Sequence, residues 1–414
     1  MSNEATTAED TPENGVMVSN RRWFYAALGL VMLLFLGLIY AWSIFVPSLE
    51  KEFGWTRSQT SMAFSLCMSL FCLGGLAAGI ASKHMPFKRI VAVSAVFMGA
   101  GFLLASRTDS LMGMYVSYSG LVGFGAGMGY NAILSNMLRW FPDKTGTVSG
   151  LMLMGFGAGT LVLGPLCHSL LNSIGWRETF FAFGIAYVVF YLATSFLVNP
   201  PPAGSRFPKP GGGGRRVRES GGEVSTSQMM RRKSFYIYFA WAIIMNGIGV
   251  MLVGHAAPLA QELKIAAATA AVLTGVVSMA NGLGRMLGGF CFDLFGRNVL
   301  MRGASIGVIL CSGVLFICLQ THNPVLITIA FIMSGLCYGL GVIAHSAVTA
   351  TFYGMRNYPL NFSVITMNTL PASFVGPYLA GFMHTILGSY EGMPYQVLVF
   401  GVTGLVLALC LRRP

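Results

Sequence analysis

From Trp23 onward the chain is a succession of apolar stretches, each long enough or nearly so to cross a ~30 Å hydrocarbon layer as a helix, with short polar loops between them. Twelve can be read, near residues 23–48, 59–82, 90–106, 111–137, 146–171, 179–198, 235–260, 266–292, 299–319, 325–348, 362–387 and 395–411. Such a chain has few options. In lipid every backbone N–H and C=O must be satisfied internally, which leaves helices or a closed barrel, and stretches of this length are helical. The reading is an all-α membrane protein with twelve transmembrane helices. Hydrophobic residues make up 55% of the chain and charged ones 10%, and its 52 glycines suit close helix contacts in a bilayer better than a soluble core.

Orientation follows from the cations. With the N-terminus in the cytoplasm, 20 of the 26 Lys and Arg residues lie on that side and five outside (Lys51, Arg57, Arg107, Arg177 and Lys264), so both termini are expected in the cytoplasm. The net charge of +12 is then a product of topology and gives no reason to expect nucleic-acid binding. Residues 1–20 are polar and acidic and read as a disordered tail without the pattern of a cleaved signal. Residues 200–233 are rich in Pro, Gly and Arg and read as a cytoplasmic linker. Six apolar stretches lie on each side of it, giving an N-terminal bundle at 21–199 and a C-terminal bundle at 234–414.

The two halves resemble each other faintly. VPSLEKEFGW follows the first stretch and AAPLAQELKI the seventh, with Pro47 and Pro258 corresponding. This is the mark of a parallel duplication, as in carriers that rock two pseudo-symmetric bundles about a central site.

One residue breaks the pattern. Arg285 lies eight residues before Asp293, where a polar loop begins, and at about 1.5 Å per residue it sits ~12 Å deep in the layer. All fourteen acidic residues fall in tails, loops or helix ends, so none is available at that depth to neutralise it. A buried charge needs a partner, and an anionic ligand is the natural one. Asn281, one helical turn earlier, shares its face.

Gly289, Asp293, Gly296 and Arg297 form G-x-x-x-D-x-x-G-R at the end of the eighth stretch, a run that resembles the loop signature of the major facilitator superfamily. The resemblance implies a conformational latch, a charged clasp between helix ends that helps hold the cytoplasmic side shut. The corresponding loop after the second stretch, GIASKHMPFKR, has Lys83 where the acid would fall. More narrowly, GLIYAWSIFVPSLEKEFGW, RWFPDK and NFSVITMNTLPASFVGP resemble the oxalate/formate antiporter family and the related monocarboxylate transporters. In the oxalate exchangers two intramembrane cations face a dicarboxylate. Arg285 matches the first of these, whereas Thr369 occupies the position of the second, a lysine. One cation suits one carboxylate, and a second would be desolvated without a partner.

Around Arg285 the candidate substrate contacts are Asn281, Tyr40, Tyr118, Tyr338 and Tyr378, which could supply hydroxyls or aromatic walls to a small acid. His168, His255, His345 and His384 lie in or near apolar stretches, and His255, in VGHAAP, is the candidate for proton coupling. The eight cysteines show no paired spacing, and GFGAGMG at 123–129 lies in an apolar helix rather than after a strand. No metal, cofactor or enzyme chemistry is expected.

The expectation is therefore a plasma-membrane secondary carrier, working as a monomer in the lipid bilayer, that moves a lactate- or pyruvate-like monocarboxylate with a proton. An oxalate/formate-type exchanger and a transporter-like sensor are the alternatives.

Overall fold

Glycine and proline punctuate the apolar stretches, and the computed structural model, which describes residues 21–202, 222–265 and 267–412, bends or breaks its helices near many of them. The tail at 1–20 and most of the linker lie outside the described residues. The first half runs through α1 (Arg21–Leu36), a 3-10 segment (Gly37–Ala41), α2 (Trp42–Phe53), α3 (Arg57–Ala81), α4 (Phe87–Ala105), α5 (Leu111–Met114), a π-helical segment (Tyr115–Val122), α6 (Gly123–Trp140), α7 (Thr145–Gly157) and α8 (Gly159–Leu197). The second half holds α9 (Thr226–Met230), α10 (Lys233–Glu262), α11 (Ala267–Thr321), α12 (Pro324–Tyr353), α13 (Tyr358–Thr366), α14 (Thr369–Ser373), a second π-helical segment (Phe374–Tyr378), α15 (Leu379–Leu387) and α16 (Met393–Cys410). Among the described residues there is no strand.

Among the described residues eight helices are long and apolar enough to cross a membrane, fewer than the twelve stretches read from the sequence. The difference has a physical cause. The 55 residues of α11 would make a straight rod of about 80 Å, but Gly296, at φ 76°, turns the chain within it. Gly175, at φ 80°, does the same in α8. Conversely, residues 111–140 and 358–387 are interrupted by π-helical or turn segments, so neither forms one continuous long helix.

The end of the Pro-, Gly- and Arg-rich segment packs against the second half. Val224 and Met229 are buried, and the Val224 amide donates to the Tyr353 carbonyl at 3.0 Å. Ser225 and Gln228 form a capping box that starts α9.

The two halves meet on the face where α1 begins. Arg22 pairs with Asp143 at 2.6 Å, tying the start of α1 to the loop before α7. On this face α7 lies against α11, where Gly146 and Gly289 leave no room for a Cβ between the backbones. Beside that contact α13 lies against α3 and α6: Asn131 Nδ2 donates to the Pro359 carbonyl at 3.0 Å and to Ser363 Oγ at 2.6 Å, and Ser363 donates to the Gly75 carbonyl at 2.7 Å. On the opposite face Glu52 binds Trp176 and Arg177 within the first half, and Glu262 binds His384 within the second.

Candidate functional site

Arg285 projects from α11 toward α7 and is 7% exposed. Small residues on α7 make this approach possible: Gly150 packs on the Arg285 backbone and Gly157 on its guanidinium. The Nε–H donates to Asn281 Oδ1 at 3.3 Å, and an Nη1–H crosses between the halves to the Leu153 carbonyl at 2.9 Å. A guanidinium has five N–H donors, so these two bonds leave three for another acceptor. Among the described residues no carboxylate pairs with it.

Three tyrosines lie within electrostatic reach of this cation: Tyr40, Tyr130 and Tyr338. Tyr40 comes from the 3-10 segment Gly37–Ala41, a break where Gly37 lies directly on the Phe156 carbonyl. Tyr338 comes from α12, and its ring occupies the space that a side chain at Gly249 would need. Tyr130 stands on α6. Among the described residues none of the three hydroxyls has a hydrogen-bond partner. The rings of Tyr130 and Tyr40 join an aromatic wall centred on Phe156, with Tyr130 at 4.8 Å, Tyr40 at 5.3 Å and Phe71 at 5.5 Å between ring centres. Such an arrangement, one cation with tyrosine hydroxyls and apolar rings, has the chemistry to hold a small organic anion.

The other candidates lie elsewhere. Tyr118 is buried within the first half, stacked on Trp42, with its hydroxyl donating to the Ile39 carbonyl at 3.0 Å. The Tyr378 side chain lies outside the described residues. His255 stands near the far end of α10, with Nδ1 at 2.8 Å from the Tyr390 hydroxyl and Nε2 at 3.1 Å from the Pro377 carbonyl. Thr369 accepts from Asn246 Nδ2 at 2.9 Å, so an amide pair holds the position where the exchanger resemblance has a lysine. Sequence reasoning passed over Tyr130 and Phe156. The adjoining Asn131, an amide in an apolar stretch, was the signal that could have drawn attention to Tyr130.

The signature residues of α11 form a contact between the halves that is more specific than a general charged clasp. Asp293 accepts from the Gly146 amide at 2.9 Å, the Thr147 amide at 2.7 Å and the Thr147 hydroxyl at 2.5 Å, all at the N-terminus of α7, where backbone N–H groups and the helix dipole favour an anion. Arg297 donates to the Leu411 carbonyl at 3.2 Å and lies over the Phe352 ring, two contacts in its own half. Gly289 supplies the close approach and Gly296 the turn.

A sequence profile of the Major Facilitator Superfamily matches residues 27–369 and, overlapping, 239–414. The chain belongs to the Major Facilitator Superfamily. Among its relatives in this superfamily, the oxalate:formate antiporter of Oxalobacter formigenes is 26% identical over 343 residues, covering 81% of this chain and 80% of that one. The rat monocarboxylate transporter 3 is 22% identical over 416 residues, covering 97% and 83%. Of solved facilitator structures, the proton:xylose symporter XylE superposes with a TM-score of 0.73 at 15% identity, covering 94% of each chain. FucP, in its outward conformation, superposes at 0.68 and 14%, covering 94% of this chain and 99% of that one. The superfamily is one of transporters, and this chain is a transporter of the same fold rather than an enzyme.

Proposed function

We propose that this facilitator carries small monocarboxylates of the lactate and pyruvate kind together with a proton, by alternating access through a site centred on Arg285. The observation that carries the reading is the buried guanidinium between the halves, with donors to spare and, among the described residues, no carboxylate against it and no hydrogen-bond partner for the three tyrosine hydroxyls around it. Asn281 orients the guanidinium. In this reading α8 and α11, each of two limbs, count as two spans each and each interrupted segment as one, for twelve spans in bundles 21–199 and 234–414. The excess of Lys and Arg at the face where α1 begins supports a cytoplasmic assignment for that face and for both termini, in a plasma membrane. The monomer suffices, since both halves of the site come from one chain.

In proteoliposomes the purified protein should take up lactate or pyruvate under an inward proton gradient, and Arg285→Ala should abolish that uptake. Undiminished uptake by the variant would remove Arg285 from the site. A second reading, carboxylate exchange, is favoured by the likeness to the oxalate:formate antiporter. It requires counter-substrate inside the vesicle and no pH gradient. Thr369 weighs against a dicarboxylate, because the second carboxylate would meet an amide network and no cation.

A further inference from the structure

α12 brings a second ionisable group toward Arg285 that no contact above uses. His345 is 5% exposed, and its Nε2 is sealed from solvent without a hydrogen-bond partner among the described residues. A neutral imidazole always carries one N–H, and leaving such a donor unmatched in the interior costs on the order of 1–3 kcal/mol. Histidines held for packing are normally hydrogen-bonded, as His255 is at both ring nitrogens.

The surroundings narrow what His345 can do. It lies two helical turns beyond Tyr338 on the same face of α12. The next residue, Ser346, donates to Ser149 Oγ of α7 at 2.6 Å, so this part of α12 lies at the contact between the halves. From α11 the charge His345 feels is that of Arg285. From α10 comes Tyr238, whose hydroxyl is engaged by the Ala344 carbonyl at 2.7 Å, and from α13 comes Tyr358, whose hydroxyl donates to Ser346 at 3.2 Å. α7 contains no ionisable side chain. Among the described residues His345 is thus a protonatable ring with one charged neighbour, Arg285 of the proposed anion site, and no carboxylate beside it.

We infer that His345 is the seat of the proton that crosses with the anion bound at Arg285. The inference rests on the transport reading above. Two cations in a low-dielectric interior repel, so a proton on His345 becomes affordable in energy only when a carboxylate has neutralised Arg285. The order is then fixed: the anion docks on Arg285, a ring nitrogen of His345 takes a proton from water on the open side, and both leave on the other side as the halves rock. One negative and one positive charge move together, with no net charge.

The test uses His345→Gln in proteoliposomes with radiolabelled L-lactate and two assays. One is uptake driven by an inward proton gradient, and the other is exchange at equal lactate and equal pH on both sides. The expected result is loss of gradient-driven uptake by about tenfold or more with exchange kept within about twofold of wild type, whereas Arg285→Ala loses both. Gradient-driven uptake by His345→Gln within about twofold of wild type would overturn the inference. So would loss of both activities in a variant that remains monodisperse with an unchanged melting temperature, because the role would then be structural or in binding. Should His345→Gln fail to fold, His345→Asn in the same two assays decides, with the same results supporting or overturning the inference. If wild type moves neither lactate nor pyruvate, the functional reading falls first and this inference with it.

Discussion

Asp293→Asn tests the contact that holds the two halves together on the face where α1 begins. The carboxylate accepts three bonds from the start of α7, at 2.9, 2.7 and 2.5 Å, and all three cross between the halves. The amide keeps one oxygen but turns an NH2 toward groups that are themselves donors, so at least one charge-assisted bond is lost. Such bonds contribute about 1.5–3 kcal/mol each, and 1.4 kcal/mol is tenfold in an equilibrium, so the ratio of closed to open should fall by roughly 10- to 150-fold. A protein that starts about 99% closed would then be about 10% open at the low end and more than half open at the high end. Spin labels at exposed Lys83→Cys and Arg356→Cys, one on each half, report this directly, with the more accessible cysteines Cys291 and Cys410 replaced by serine. The longer-distance population should grow in Asp293→Asn. An unchanged distance distribution would refute the assignment of Asp293 to the closed contact.

Other expectations follow from the same geometry. Gly289→Leu places a side chain against the Gly146 carbonyl, where even a Cβ does not fit, and should open the same face or lower the melting temperature of the folded protein. Tyr130→Phe removes a hydroxyl that no protein group uses and should raise KM for lactate by about two- to tenfold with little change in stability, as read by initial-rate uptake and thermal melting. Tyr118→Phe should do the reverse, lowering the melting point through loss of its bond to the Ile39 carbonyl while leaving KM near wild type. Thr369→Lys should let oxalate compete with lactate for uptake; no competition would show that the missing second cation is not what excludes dicarboxylates.

Much of the frame was readable because lipid removes choices. Long apolar runs have to be helices, and one arginine among them has to find a partner, so Arg285 and Asn281 could be named from spacing alone, and they form a hydrogen-bonded pair. The G-x-x-x-D-x-x-G-R run pointed to the right helix end, but not to the backbone amides of α7 that receive Asp293, since amide donors leave no trace in side-chain identity. Individual tyrosines were harder. Tyr40 and Tyr118 look alike in sequence, and what separates them is whether a backbone carbonyl happens to engage the hydroxyl. Tyr130 was missed because the glycines before it read as helix packing, which they also are. His255 drew attention through its place on the helix preceding Arg285, yet the depth of a residue along a helix decides what it meets, and His255 lies near the far end. At the breaks at Gly37–Ala41 and between α7 and α8, Gly37 packs on the Phe156 carbonyl and Gly159 on the Leu34 carbonyl, contacts between segments distant in sequence.

The most direct measurement is equilibrium binding of L-lactate and pyruvate to the purified protein in detergent or nanodiscs, wild type against Arg285→Ala. Removing one member of a buried ion pair costs about 3–5 kcal/mol, so the variant should bind more than 100-fold more weakly while staying folded. Equal affinity in the two proteins would contradict the claim that this guanidinium is the anion's partner.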